Sequence, residues 1–239
     1  VACECLQLDD PAPDMKEWQE MVNTLKHLEK DVTVALVGKY TTLHDAYISV
    51  VESLKHGGLA HKSNVTIKWV PSEDINEENA EEILGDVSGI IVPGGFGDRG
   101  TDGMITSIKY AREHNIPFLG LCLGMQLSIV EFARHVCGFN DAHSIELDPQ
   151  TTHPVIHLME DQDGVEDIGG TLRLGAYPCV LAKDSLAHKV YGTDQISERH
   201  RHRYEVNNYY REDLEKNGML LSGLSPDGRI VEMCEIPSH

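Results

Sequence analysis

Hydrophobic positions along the chain fall into alternating short runs and spaced faces. VTVALVG (32–38), VTIKWV (65–70), SGIIVP (88–93) and IPFLGL (116–121) are continuous apolar or β-branched runs. Such runs predict strands, and those without polar alternation predict strands buried on both faces, as in a parallel sheet. Between them lie segments with helical spacing. In MKEWQEMVNTLKHLEK (15–30), Trp18, Met21, Val22, Leu25 and Leu28 share one face. Thr42 and Asp45 stand at capping-box spacing and predict a helix that runs to Gly57-Gly58, a natural stop. Further helices are predicted over 76–84, 103–114 and 124–137. Repeated β-α units with short links predict an α/β fold: a doubly wound, mostly parallel sheet flanked by helices.

The pattern changes after residue 150. PVIHLM (154–159), TLRLG (171–175) and PCVLA (178–182) predict short strands separated by Gly, Asp and Pro. MLLSGL (219–224) and RIVEMCEI (229–236) predict a C-terminal hairpin around Ser225-Pro226-Asp227-Gly228, a strong turn sequence. Residues 1–14 carry no periodicity and predict a linker or tail, which leaves 15–239 as one domain.

Composition narrows the function. The 239 residues are 41% hydrophobic, enough for a sizeable core. The net charge of −19 repels a phosphate backbone, so nucleic acid is not an expected partner. No apolar run approaches the ~20 residues of a membrane span, and the opening residues do not read as a signal peptide. Six scattered cysteines without a CxxC pair predict a reduced, cytoplasmic protein with no metal site. The local exception to the acidic character is ERHRHRYE (198–205), a candidate anion site.

Two glycine-framed segments carry the candidate chemistry. Gly120-Leu121-Cys122-Leu123-Gly124 is G-x-C-x-G, the cysteine form of the nucleophile elbow, between a predicted strand and a predicted helix. The helix N-terminus would favour the thiolate of Cys122, and the Leu123 amide would face a developing oxyanion. Pro93-Gly94-Gly95-Phe96-Gly97 closes another buried strand. Sites in doubly wound sheets form at such carboxyl ends. Gly94 and Gly95, lacking Cβ, are candidates for the rest of an oxyanion hole. The phosphate-loop spacing GxxxxGK[ST] is absent from that loop. On chemistry alone the chain reads as a cysteine-dependent α/β enzyme.

GLCLGMQ, PGGFGDRG, GGTLRLG, ERHRHRYEVNN and VGKYTTLHDAYISVVESLKH together resemble the glutaminase domain of the CTP synthase family, a branch of the class I glutamine amidotransferases. The resemblance runs from about Val32 to Pro237. It implies that Cys122 attacks the side-chain amide of L-glutamine, forming a thioester and releasing ammonia. Gly94, Gly95 and Leu123 would hold the oxyanion, and Gln126 would face the substrate. Glu146, in SIELD, would bind the α-ammonium; Arg203, with the Tyr204 backbone, would bind the α-carboxylate. Phe96, Arg99 and the segment 169–175 with Arg173 resemble the region that receives GTP as an effector in that family.

The resemblance also implies what lies outside this sequence. The family's N-terminal synthetase domain uses ATP and Mg to aminate UTP, and its full-length enzymes are homo-oligomers. No cofactor is expected in the domain itself. The triad histidine and glutamate of class I amidotransferases lie in a late F-H-P-E segment, which these residues do not include. The expectation is a glutaminase domain truncated before that pair, in which His239 is not catalytic. A cysteine hydrolase or deglycase of a related doubly wound superfamily, or a non-catalytic domain of the same fold, would share the elbow. The former would leave Glu146 and Arg203 idle; in the latter Cys122 would be inert.

Overall fold

The computed structural model describes residues 2–9, 13–158 and 173–239. It divides into two compact units, Val1–Val32 with Ile48–Thr66, and Thr33–Tyr47 with Ile67–His239.

The first unit holds helices α1 (Ala2–Leu6), α2 (Lys16–Lys26) and α3 (Ile48–Ala60). The predicted helix over 15–30 forms as α2, but its apolar face is not buried: Trp18 is 60% exposed. The helix expected to open at Thr42 begins later, as a 3-10 turn over His44–Tyr47 that passes into α3 at Ile48. Nor does it stop at Gly57-Gly58. A Cβ on Gly58 would lie 2.6 Å from the Ser63 carbonyl and 2.5 Å from Val65 Cγ2. Gly58 is therefore needed for close packing, not for termination.

The second unit carries the core and every candidate site residue. Strands β1 (Lys30–Gly38), β2 (Ser63–Pro71), β3 (Gly89–Val92) and β4 (Phe118–Gly120) form a sheet in the order β2-β1-β3-β4. The β1–β3 and β3–β4 pairs are parallel. Helices α4 (Ala80–Leu84), α5 (Thr101–His114) and α6 (Leu123–His135) follow β2, β3 and β4 in turn. The predicted helix at 76–84 is shorter than expected. Asn76 and Asn79 side chains instead bond the backbone of a turn, as short amides do in competition with a helix. Every residue of β3 is buried, as its unbroken apolar run requires. Arg112 and the buried Glu131, joined at 2.8 Å, tie α5 to α6.

Two smaller sheets complete this unit. Strands β5 (His143–Ser144), β6 (Pro154–Leu158) and β9 (Tyr204–Val206) form one, in that order. Strands β7 (Arg173–Leu181), β8 (Gln195–His202), β10 (Leu220–Leu224) and β11 (Val231–Glu235) form an antiparallel sheet in the order β11-β10-β7-β8. Helices α7 (Leu186–Tyr191) and α8 (Arg211–Lys216) link its strands. The hairpin at Ser225–Gly228 forms as predicted, closed by the Gly228 N–H donating to the Ser225 carbonyl at 2.7 Å.

Two expectations are corrected here. TLRLG and PCVLA are not separate strands: 173–181 is one strand running through Pro178. The observed β10 pairing reaches only Val180 and Leu181, so Pro178 needs no ladder donor on that side. Gly169–Leu172 lie outside the described residues. ERHRHRYE, read only as a basic cluster, is strand-forming, with exposure alternating along β8. Among the described residues, no helix is long and apolar enough to cross a membrane.

Candidate active site

The parallel sheet brings three loops to one edge, where β1, β3 and β4 end. At the end of β4 the chain turns into α6 within a single residue. Cys122 takes φ 55° and ψ −107°, a left-handed conformation that a non-glycine residue adopts only when its surroundings impose it. The flanking glycines make this turn possible. A Cβ on Gly124 would stand 2.0 Å from the Val92 carbonyl oxygen; one on Gly120 would stand 2.6 Å from Gly124 backbone atoms. Strand and helix thus approach too closely for any side chain there. The Leu121 N–H bonds Val92 at 2.9 Å, and the Gln126 N–H bonds the Cys122 carbonyl at 3.0 Å. The elbow read from the sequence is present.

The β3 loop lies against the cysteine. A Cβ on Gly94 would be 3.4 Å from Cys122 Cβ and 3.8 Å from Sγ. Gly95 faces Leu123 Cδ2 and the stem of Lys39, at 3.5 and 3.3 Å from its would-be Cβ. Lys39, at the end of β1, is buried. Its ammonium donates to the carbonyls of Phe96, at 3.3 Å, and of Gly97. Its own N–H donates to the Tyr47 hydroxyl at 3.1 Å, and its carbonyl accepts from Arg99 Nη2 at 2.9 Å. Lys39 thus braces the glycine loop from below.

A cavity of about 190 Å³ opens at this edge, lined by Gly95, Phe96, Cys122, Leu123, Gln126, Glu146 and the run 201–204. It is smaller than the roughly 300–1,000 Å³ of drug-sized pockets and suits an amino acid. Glu146, Arg203 and Tyr204, distant in sequence, stand on its wall with Cys122. Gln126 does more than face the cavity: its Nε2 donates to the Tyr204 carbonyl at 3.0 Å. Phe96 is 60% exposed, with the Arg201 guanidinium 5.8 Å from its ring centre.

Arg99 and Arg173 do not line the cavity. Arg99 pairs with Glu73 as well as bonding the Lys39 carbonyl. Arg173 lies over the Tyr177 ring at 4.3 Å and grips Glu232 through both terminal nitrogens, at 2.6 and 3.0 Å. His200, His202 and Glu205 complete this second group. His239 bonds the Ala111 carbonyl at 3.0 Å.

Electrostatics sets the reactivity of the site. Loss of solvent around the Cys122 thiol raises its pKa, and the charges of Glu146 and Glu205 add to the rise. The Leu123 N–H, directed at the sulfur, opposes them, as the helix N-terminus was expected to do. Cys122 is exposed to solvent as a residue, but the walls around its sulfur cost it enough hydration that desolvation outweighs the Leu123 N–H, so the thiol is the resting form. No hydrogen bond joins Cys122 to a histidine among the described residues. Partial desolvation by the cavity walls likewise raises the carboxyl of Glu146, itself an exposed residue, while Lys39 and Arg203 pull it down. Desolvation, followed by Arg99, lowers the pKa of the Lys39 ammonium.

Sequence reasoning missed Lys39, Glu205 and Glu232. A lysine directly after a wholly buried strand, in VGKY, was the available signal for the first. The two glutamates meet only through the pairing of distant strands, which no local pattern reveals.

The comparisons agree with this geometry. The sequence model of the family described as "Glutamine amidotransferase class-I" matches residues 42–238. The chain is 57% identical over 225 residues to the CTP synthase of Staphylococcus epidermidis, covering 94% of the chain and 42% of that protein. It is 53% identical over 239 residues to that of Bacillus velezensis, covering 100% and 45%. The chain therefore spans less than half the length of these curated relatives. Its structure matches the solved glutaminase domain of the Trypanosoma brucei CTP synthase with bound acivicin. The TM-score is 0.80 at 38% identity, over 87% of this chain and 81% of the other. A cysteine elbow facing an amino-acid-sized cavity, a family match over residues 42–238 and this structural likeness agree: the chain belongs to the class I glutamine amidotransferase family, in the branch formed by CTP synthase glutaminase domains.

Proposed function

We propose that the cavity binds L-glutamine as a zwitterion, with its side-chain amide at Cys122. The observation that carries this reading is the convergence of one carboxylate, Glu146, and one guanidinium, Arg203, on the wall of the cavity that holds the elbow cysteine. An α-ammonium pairs with the first and an α-carboxylate with the second; an arginine fork matches a carboxylate in shape as well as charge. The Cys122 sulfur attacks the amide carbon, and the amide N–H groups of Leu123 and the Gly94–Gly95 loop receive the oxyanion. The C–N bond breaks, the nitrogen takes a proton and leaves as ammonia, and water hydrolyses the thioester to glutamate.

The thiol needs a base, and we assign that role to no histidine of this chain. His202 lines the cavity but its ring is engaged with His200 at 3.0 Å; His239 is held by Ala111. The chain alone is expected to bind glutamine and to turn it over slowly. In the longer protein the ammonia would serve ATP- and Mg-dependent amination of UTP to CTP by a synthetase domain. That protein is read as a cytoplasmic homo-oligomer. GTP would act as effector through the Phe96–Arg99 loop and the segment leading to Arg173.

Calorimetric titration of the Cys122→Ala protein with L-glutamine tests the binding reading. One-to-one binding that is lost in Glu146→Gln and Arg203→Ala supports it. Binding indifferent to both replacements would overturn it, in favour of a cysteine hydrolase acting on other amides.

A further inference from the structure

Strand β8 ends at His202 and β9 begins at Tyr204, so Arg203 is the single residue between strands of two different sheets. This joint presents Arg203 and Tyr204 to the cavity. Behind it lies a buried polar cluster that the glutamine chemistry does not use. Glu205 is 4% exposed. Its Oε1 lies 3.4 Å from His202 Nδ1 and 3.6 Å from Arg173 Nη1. Arg173 is committed to Glu232, and His200 Nε2 lies 3.6 Å from the same carboxylate. His200 Nδ1 and His202 Nε2 are 3.0 Å apart.

We propose that Glu205 is a positioning residue for the glutamine site: through His202 and Arg173 it fixes the joint that aims Arg203 and Tyr204 into the cavity. This inference rests on the glutamine reading above.

Three physical points support it. His202 and Glu205 flank the joint, so their contact closes a loop around Arg203. The cluster ties β7, β8, β9 and β11 together, which leaves the joint little freedom. Its charge is also unbalanced: two carboxylates face one guanidinium in the interior. An uncompensated buried charge is costly, so the cluster must hold a proton or distort. Burial, with help from Glu232, pushes Glu205 up to about 8 against the pull of Arg173. Burial and the neighbouring His200 and Arg173 push His202 down to about 4. At neutral pH Glu205 therefore keeps its proton and His202 is uncharged. Above pH ~8 the ionised Glu205 places excess negative charge beside Glu232 and behind Arg203. The groups that face the cluster are Arg173 and Tyr177 from β7, Glu198, His200 and His202 from β8, and Glu232 from β11.

The test is titration with L-glutamine from pH 6.5 to 9, in the Cys122→Ala protein alone and with Glu205→Gln or His202→Asn added. Thermal melts establish that each variant is folded. The Cys122→Ala reference is expected to bind glutamine and to lose affinity as pH rises past ~8. Glu205→Gln, the isostere of the protonated carboxyl, is expected to bind within about twofold of the reference at pH 7 and to lose that alkaline dependence. His202→Asn removes the other side of the contact and leaves Glu205 in place; it is expected to weaken binding and also to shift the pH at which affinity is lost, a change that loss of a cavity-wall contact alone would not produce. If Glu205→Gln does not fold, His202→Asn decides. Folded variants that bind like the reference at every pH would overturn the inference. A reference protein that does not bind glutamine would overturn the glutamine reading, and this inference with it.

Discussion

Gln126 Nε2 donates to the Tyr204 backbone carbonyl at 3.0 Å, linking the first turn of α6 to the joint between β8 and β9. The helix that begins at Cys122 thus also holds the joint that presents Arg203. Distances across the cavity are set by a bond between its walls. Gln126→Ala is expected to weaken glutamine binding about fivefold, the worth of one ordinary hydrogen bond. Alkylation of Cys122 by iodoacetamide, a small reagent that needs no amino-acid site, is expected to stay unchanged. Titration and alkylation rates, measured on the same preparations, check both.

The elbow glycines make a prediction about stability. Gly124→Ala sets a methyl 2.0 Å from the Val92 carbonyl, and the backbone must shift. A loss of about 2 kcal/mol or more is expected in denaturant unfolding. Gly57→Ala is the control. Its Cβ meets nothing within 4 Å and it sits inside α3, so a gain of about 0.5–1 kcal/mol is expected.

These two glycines also show how far the sequence was legible. Gly120 and Gly124 announce themselves, because a strand, a cysteine and a helix in succession leave them one role. The parallel sheet was legible for a similar reason: four apolar runs separated by helical segments admit few other folds. Gly57-Gly58 misled, since a glycine pair ends a helix when exposed but permits close packing when Ser63 and Val65 press on it. The strand over 173–181 misled because Pro178 reads as a break, while a strand side left unpaired at that point tolerates it. Glu146 and Arg203 came only through resemblance. Lys39 and Glu205 did not come at all, since their meaning depends on which distant loop or strand lies against them.

Glu146 bears on the thiol of Cys122. Its charge helps hold the Cys122 thiol above its ordinary range, so the alkylation rate is expected to keep rising with pH beyond ~8.5, where a free thiol levels off. Glu146→Gln removes a negative charge near the sulfur, lowers the thiol pKa and increases the thiolate fraction. Alkylation at pH 7.5 is therefore expected to accelerate several-fold while glutamine binding is lost. A rate that falls, or does not change, would contradict this assignment of the charge.

Lys39 is expected to matter to chemistry more than to binding. It does not itself line the cavity; it holds the carbonyls of Phe96 and Gly97 from behind and braces the loop offered as half of the oxyanion hole. Lys39→Met is expected to slow acylation about tenfold, less than the roughly 10²–10³ that follows removal of a direct oxyanion donor. Glutamine affinity is expected to stay within about twofold, a few tenths of a kcal/mol. Single-turnover acylation alongside titration separates the two.

The central claim is that an amino acid with a γ-carboxamide is held with its reacting carbon at Cys122. Acivicin, the ligand bound in the related Trypanosoma brucei domain, provides the direct measurement. Peptide mapping by mass spectrometry after acivicin treatment, with and without L-glutamine, reads which cysteine is modified. The account predicts modification of Cys122 and of no other cysteine, slowed by L-glutamine but not by D-glutamine, and abolished in Arg203→Ala. Labelling spread over several cysteines, or labelling of Cys122 that L-glutamine does not slow, would contradict it.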